Sequence, residues 1–412
     1  MSVIGIDFGT TFCTASWVNP KNNTPEAIMF PDAVNVYKIP SVVMFPEKGN
    51  PIVGTPAYLQ IENAASSASM DVIMSRTITS IKRKMSRNGS FRSHSYLEII
   101  SMIIRYVVEQ AKLACVFPES PDKLVLTHPV KFEEWKKEMI KQAAVQADFQ
   151  EENIFLIEEP IAAALEHVKS NPQANVKGIL VYDFGGGTFD VAYVQIDHNG
   201  RPHIPIDPEG DSQCGGDDID MLIYDKWETI AKMSLDRHLS TNIQEADLAF
   251  LLQCRKHKEL LSSTPNNSFS VLLPPMPGRG LERCEWKTTE HEYNTIIAPI
   301  IDRTITRTQT VLNEIEQKKL PLDVVLLIGG SSRIPQVESR LKELLPNQVE
   351  IRTTGKVDTA VSVGAVYFAT EGFTANKGAA KPCFCRFCGK QILSNERFCR
   401  YCGGENFMFN RR

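Results

Sequence analysis

The 412-residue chain has no apolar run of membrane-spanning length. Its greasiest stretch, Ile99 to Val108, is interrupted by Arg105, and a spanning helix needs about 20 largely apolar residues. There is no basic leader with a following apolar segment and cleavage site either. Met1-Ser2-Val3-Ile4-Gly5-Ile6-Asp7 reads as a strand almost from the first residue, which points to a cytoplasmic protein without a membrane partner. Charge of one sign is scarce: 45 Lys/Arg stand against 49 Asp/Glu, a formal −4. That excludes whole-chain attraction to a polyanion or polycation. Five of the ten cysteines (Cys13, Cys115, Cys214, Cys254, Cys284) are scattered singly, which argues against a secreted disulfide scaffold.

What is present is ordinary in bulk and uneven in detail. The chain is 42% hydrophobic and 23% charged, enough for a large core and for two or three domains by length. The last 32 residues, 381–412, differ: they carry seven Lys/Arg and two acids, net +5, and the other five cysteines, Cys383, Cys385, Cys388, Cys399 and Cys402. The remainder is −9.

Apolar runs at Val3–Ile6, Leu124–Thr127, Ile179–Tyr182 and Val324–Ile328 predict buried strands. Helical spacing predicts helices over Tyr96–Ala114, Phe132–Ala147, from Ile161 behind Pro160, Asp217–Lys232, Ala246–Leu261, Glu292–Glu316, Pro335–Leu345 and Asp358–Ala369. Pro265–Arg283 reads as a broken hairpin and Gly372–Ala380 as a linker. The mixture has the flavour of a parallel-sheet α/β fold.

Three Gly-rich turns each follow a predicted strand: Gly9-Thr10-Thr11, Gly185-Gly186-Gly187-Thr188 and Gly329-Gly330-Ser331. Glycine lets the backbone approach an anion, and successive N–H groups form a nest for phosphate oxygens. One such turn is more often a plain hairpin; three at strand ends are harder to dismiss. The first two run into strands, not helices, and so are not Walker loops. The third is expected to open a helix whose positive end suits a nucleotide. Ile4-Gly-Ile-Asp7-Phe8-Gly9 and Val181-Tyr-Asp183-Phe184-Gly185 look like one unit used twice. If the halves face each other, Asp7 and Asp183 meet in one cleft, where Mg²⁺ would relieve their repulsion. The Asp-Phe-Gly tripeptide does not indicate a protein kinase, since no His-Arg-Asp loop or Val-Ala-Ile-Lys accompanies it.

Five motifs together resemble one family. Ile-Asp-Phe-Gly-Thr-Thr (6–11), Glu-Glu-Pro-Ile-Ala-Ala-Ala (158–164), Asp-Phe-Gly-Gly-Gly-Thr-Phe-Asp-Val (183–191), Gly-Gly-Asp-Asp-Ile-Asp (215–220) and Ile-Gly-Gly-Ser-Ser-Arg-Ile-Pro (328–335) stand in the order of the ATPase domain of the 70-kilodalton heat-shock chaperones. The resemblance covers about residues 1–371. It implies the actin-like ATPase fold, with two ribonuclease-H-like lobes at about 1–170 and 171–371 around a nucleotide cleft, and an inserted subdomain near 210–290. By the same resemblance Asp7 and Asp183 hold Mg²⁺ through waters. Gly9, Thr10, Thr11, Phe12 and Gly185, Gly186 and Gly187 cradle the phosphates of ATP or ADP. Glu159 orients the attacking water, Thr10 and Thr188 contact the γ-phosphate or that water, and Lys82 matches the catalytic lysine. Gly215 and Gly216 belong to the cofactor-binding set. Gly329, Gly330, Ser331 and Arg333 hold the adenosine, Asp358 closes the pocket edge, and Lys258 and Ser262 reach the nucleoside from the opposite side. Arg255 and Glu259 stand where the family usually has Glu and Arg, so the charges there are exchanged.

The tail repeats itself: Phe384-Cys385-Arg386-Phe387-Cys388-Gly389 and Phe398-Cys399-Arg400-Tyr401-Cys402-Gly403. Two Cys-x2-Cys-Gly knuckles predict a tetrahedral Zn²⁺ site of Cys385, Cys388, Cys399 and Cys402 in a small zinc ribbon, 383–412, behind a linker at 372–382. Cys383 is read as a spare thiol. In so short a unit the metal would supply most of the folding energy, on the order of 10–16 kcal/mol. The metallated tail is about +3 by formal count, and its exposed Arg and aromatic residues favour a protein partner over nucleic acid. The expected whole is a Mg-dependent, slow ATPase switch of chaperone type, without the family's peptide-binding domain, that recruits a partner or client through the ribbon. A nucleotide-binding scaffold or actin-like filament, or less readily a small-molecule kinase, are the alternatives.

Overall fold

The structure is a computed structural model. It describes residues 2–31, 36–64, 73, 75–115, 121–239, 248–264, 266–273, 282–353, 358–370, 382–384 and 391–393. The chain divides into two units, Met1–Thr370 and Glu371–Arg412.

The first unit is built on two six-stranded sheets with one strand order. In the first, the central strand Val3–Phe8 pairs antiparallel with Phe12–Asn19 on one side and parallel with Lys123–His128 on the other. Thr24–Ala27 and Ile154–Glu158 complete the row, and Ile39–Pro40 adds to Phe12–Asn19. In the second, Gly178–Phe184 pairs antiparallel with Phe189–Ile196 and parallel with Val324–Ile328. Pro202–His203 and Glu350–Thr353 complete that row, with Glu209–Asp211 beside Phe189–Ile196. The central strands are buried on both faces, which is why they read as unbroken apolar runs.

Each sheet has its own core. Ile4, Ile6, Phe8, Leu124 and Leu126 pack under the helices Tyr96–Cys115 and Glu134–Gln146. Tyr182, Phe184, Phe189 and Leu327 pack with residues of Gly216–Leu235, Leu248–Ser263 and Glu290–Gln317. A third, small cluster joins Val42, Met44, Ala57, Tyr58 and Ile61 to Leu252 of the helix Leu248–Ser263. His257 packs half-buried beside the second core: it accepts a 3.3 Å hydrogen bond from Trp227 Nε1, and burial pushes its pKa down to about 4.

Two helices start where the sequence provides side-chain partners for their first N–H groups. Thr289 Oγ1 accepts from Glu292 N at 3.2 Å, and Asp218 reaches back to Gly215 N at 2.8 Å. Glu159–Ser170 begins with an acid and Pro160 in its first turn. It packs against the last helix of the unit, Ala360–Thr370, so closely that a Cβ on Gly364 would lie 1.8 Å from Ala162 O. That last helix returns to the first sheet. Ser362 Oγ lies 2.8 Å from Ser16 Oγ and accepts from Thr14 Oγ1 at 3.1 Å, and a Cβ on Gly5 would meet Ser362 O at 2.6 Å.

Observed boundaries differ from expectation by a few residues, and Pro265–Arg283 contributes the strands Asn267–Leu272 and Arg283–Thr288 of an antiparallel pair. One difference is structural: the third glycine turn does not open directly into a helix. Gly330–Arg333 forms a 3₁₀ turn first, and the α-helix starts at Pro335, whose fixed φ suits the first helical position. In the second unit the described residues are the short antiparallel strands Pro382–Phe384 and Gln391–Leu393, with Cys383 opposite Ile392. The proposed zinc ligands Cys385, Cys388, Cys399 and Cys402 lie outside the described residues, as do residues 371–381 of the linker region. Among the described residues no helix is long and apolar enough to cross a membrane.

Candidate nucleotide site

The ends of the two central strands meet in a cavity of about 430 Å³, within the range of small-molecule sites. Its floor is acidic. Asp7, held by a 3.0 Å hydrogen bond from Thr127 Oγ1, comes from the first sheet, and Asp183 from the second. Lys82 Nζ reaches in from the short helix Ile81–Lys84 and sits 2.6 Å from Glu159 Oε1; both side chains are buried. Burial pushes the Lys82 pKa down, but Glu159 and then Asp7 outweigh it, and the net shift is upward. Burial, followed by the charge of Glu159, pushes Asp7 up to about 6 and raises Asp183 well above the usual carboxylate range.

Two glycine turns face each other above this floor. Their glycines are required by closeness. A Cβ on Gly186 would stand 2.1 Å from Thr11 Oγ1, and one on Gly187 2.4 Å from Thr10 Cγ2. Thr11 Oγ1 itself is buried with no hydrogen-bond partner, an acceptor-donor group awaiting a ligand. Gly9, Phe12, Gly185 and Thr188 line the same stretch of wall. Gly329 has φ +78°, and a Cβ there would lie 2.5 Å from Phe184 O, so only glycine fits. Next to it a Cβ on Gly330 would meet nothing within 4 Å, because it would point into open space.

The far end is lined by Ser331 and Arg333 on one side and by Lys258 and Ser262 on the other. Arg333 Nη2 is 2.7 Å from Asp358 Oδ2. Lys258, Arg255, Glu259 and Ser262 share one face of their helix by spacing and all line the cavity. Arg255 is committed to Asp217 Oδ1 at 2.9 Å and Asp220 Oδ2 at 3.3 Å, and these acids push its pKa up against the effect of burial. Lys258 Nζ sits 2.7 Å from Asp220 Oδ1 and donates to Gly216 O at 2.8 Å.

Two expected residues are not in the cavity wall. Gly215 and Gly216 stand behind it: Gly216 N donates to Gly185 O at 3.0 Å, and a Cβ on Gly215 would strike Gly186 O at 2.5 Å. They support the second glycine turn from outside. Other residues at the site had been given no role. Asp190 is the direct antiparallel partner of Asp183, and burial, then Glu159, pushes it up to about 8. The signal was available, since Asp183 and Asp190 flank the turn symmetrically. Lys38 lines the far end and sits 2.6 Å from Asp358 Oδ1; nothing in the local sequence marks it. Asp217 and Asp218 bond across to Ser80 Oγ and Arg83 Nη2 at 3.2 and 3.3 Å.

The donor set fits Mg²⁺ bound with a nucleotide. Asp7, Asp183 and Asp190 all feel the charge of Glu159 against that of Lys82, and all three carboxyls are driven toward the protonated form. Such a surplus of buried acid is relieved by a cation. Among the described residues no three His, Cys, Asp or Glu side chains converge as direct metal ligands. A hexahydrate-like Mg²⁺ that keeps its waters and takes phosphate oxygens needs no such convergence.

Comparison with known proteins points to one family. A family profile described as Hsp70 protein matches residues 89–371. The chaperone protein DnaK of Thermosipho melanesiensis is 28% identical over 374 residues, covering 88% of this chain and 58% of that protein. DnaK of Mycoplasma mobile is 31% identical over 370 residues (88% and 57%), and DnaK of Nitrosopumilus maritimus 28% over 359 residues (84% and 53%). The chain thus spans somewhat more than half the length of these relatives.

Proposed function

The chain belongs to the Hsp70 family, and on that premise we propose that it is a Mg-dependent ATPase whose nucleotide state works as a switch, with two lobes carried by the two sheets. The observation that carries this is the meeting of two glycine cradles over the Lys82–Glu159 pair and the carboxylates of Asp7 and Asp183. Asp7 and Asp183 would hold Mg²⁺, which when bound would supply positive charge to the phosphate oxygens.

The residues of the chain do the remainder. Backbone N–H groups of 9–12 and 185–187 bind the phosphates, and the orphaned Thr11 Oγ1 gains a partner. Lys82 faces the terminal phosphate. Glu159, held in place by Lys82, orients the attacking water, and Thr10 and Thr188 hold the γ-phosphate or that water. Arg333 stacks on the base, with Lys258 and Ser262 at the nucleoside and Asp358 at the rim. The chemistry is positioning and electrostatics, with no covalent nucleophile. Cys13 is no candidate for one, since burial pushes its thiol up to about 12.

For residues 383–412 we propose a zinc ribbon that binds a protein partner, and for the whole a chaperone-like role in the cytoplasm. The duplicated Cys-x2-Cys-Gly knuckles support this. Two measurements test the reading. Purified protein with Mg²⁺ should bind ADP and release phosphate from ATP; absence of both overturns the ATPase. Metal analysis should give one zinc per chain, lost with Cys385→Ser plus Cys402→Ser; a zinc-free native chain overturns the ribbon.

A further inference from the structure

Two cations anchor the ends of the cavity, and each is tied to an acid: Lys82 to Glu159 and Arg333 to Asp358. Another cation, Lys38, stands toward the Arg333 end, beside Phe12. Its ammonium lies 2.6 Å from Asp358 Oδ1 and 5.6 Å from the centre of the Phe12 ring, and it lines the cavity. We propose that Lys38 is a further nucleotide-binding residue, a cation for the diphosphate of a bound nucleoside di- or triphosphate. The proposal rests on the nucleotide reading above.

Three features support it. First, Lys38 is adjacent to a segment bonded to the first glycine turn. Residues 39–41 are clipped to the turn at Phe12–Pro40 and Cys13–Ile39, by Ser41 N to Thr11 O at 2.9 Å, and by Ser41 Oγ to Gly9 O at 2.9 Å. Second, an ammonium has three donors and Asp358 occupies one, so a compact point charge is left for a phosphate oxygen. Third, Asp358 does not depend on Lys38 alone. Its other oxygen, Oδ2, is taken by Arg333, so the carboxylate stays paired when Lys38 turns to a ligand. A ligand reaching from the Lys82–Glu159 floor past Gly9–Phe12 to Arg333 must pass Lys38, and the part that passes it is shared by ATP and ADP.

The experiment is calorimetric titration of the full chain with ADP, ATP and adenosine, each with Mg²⁺, for wild type, Lys38→Met and Lys38→Arg. Lys38→Met should weaken ADP and ATP alike by about tenfold, the worth of one charge-assisted hydrogen bond. Adenosine should be unaffected, Lys38→Arg should restore part of the loss, and in turnover KM should rise with kcat unchanged. The inference is overturned if Lys38→Met binds ADP as wild type does. It is equally overturned if adenosine is weakened as much as ADP, for then Lys38 only steadies Asp358 and Arg333. The two variants bracket folding, because a loss in Lys38→Met that Lys38→Arg does not relieve also counts against a phosphate contact. A wild type that binds neither nucleotide sinks the ATPase reading instead.

Discussion

The pair Lys82–Glu159 makes a quantitative demand on stability. The two groups are 2.6 Å apart with side chains 5% and 8% exposed. At an effective dielectric of 20, unit charges at that separation attract by roughly 6 kcal/mol, and desolvation of both ions offsets much of it. Removing one partner is another matter. Lys82→Met would leave Glu159 near Asp7, Asp183 and Asp190 without its ammonium partner, and breaking a buried pair in this way costs about 3–5 kcal/mol. The cost should depend on pH in a definite sense. Asp7 and Asp190 have pKa values raised to about 6 and about 8, above those of the unfolded chain. Between pH 4 and 8 the native state therefore binds more protons than the unfolded state, and stability falls as pH rises through that window. In Lys82→Met the carboxyls also lose the lowering influence of the ammonium, so the fall should steepen. Urea unfolding of nucleotide-free protein in chelator should show a loss of about 3–5 kcal/mol at pH 8 and about half as much at pH 5.5. Adding Glu159→Gln to Lys82→Met should recover most of it. A loss below ~1 kcal/mol at pH 8, a loss independent of pH, or a double variant no better than the single would refute the reasoning.

Other expectations follow from the same geometry. Glu159→Gln should keep ADP affinity while slowing single-turnover phosphate release by roughly 10²–10⁴-fold, the usual range for a lost acid–base or water-orienting group; unchanged release would remove Glu159 from the chemistry. Gly364→Ala, whose Cβ would sit 1.8 Å from Ala162 O, should destabilise by about 1–3 kcal/mol, whereas Gly330→Ala, facing open space, should shift stability by less than ~0.5 kcal/mol yet intrude on the nucleotide. Thermal melts with and without ADP separate the two effects. Binding of Mg-ADP at pH 7 should expel a proton from Asp190, seen as a binding heat that differs between phosphate and Tris buffers. Equal heats in the two buffers would contradict the raised value.

Much of this site is legible in sequence because its parts are local. A buried strand, a turn of glycines and an acid at the strand end are all read within nine residues, and they recur at Asp7 and Asp183. What escaped is what strand register and tertiary approach supply. Asp190 gains its meaning only when the hairpin sets it against Asp183. Lys38 lies 320 residues from Asp358 in the chain. The exchange of Arg255 and Glu259 is visible in sequence, but the capture of Arg255 by Asp217 and Asp220 is not. The motif marks the glycines at 215 and 216, but not what crowds them: a Cβ on Gly215 would meet the backbone of Gly186 and Gly187, and one on Gly216 would meet Ser331 Oγ and Lys258 Nζ. Helix ends slipped by up to three residues, since ends fray and the flanking residues are half in the helix.

The return of the last helix to the first sheet bears on how the molecule is made. Ser362 settles on Thr14 and Ser16 across a sequence separation of up to 348 residues. At about 5–20 residues per second the ribosome delivers that helix roughly 20–70 s after the strands it covers. Until then Gly5 and the face around Ser16 have no cover, and closing so long a loop is entropically slow. The first sheet is thus the earliest part of the unit to be translated and the last to be completed.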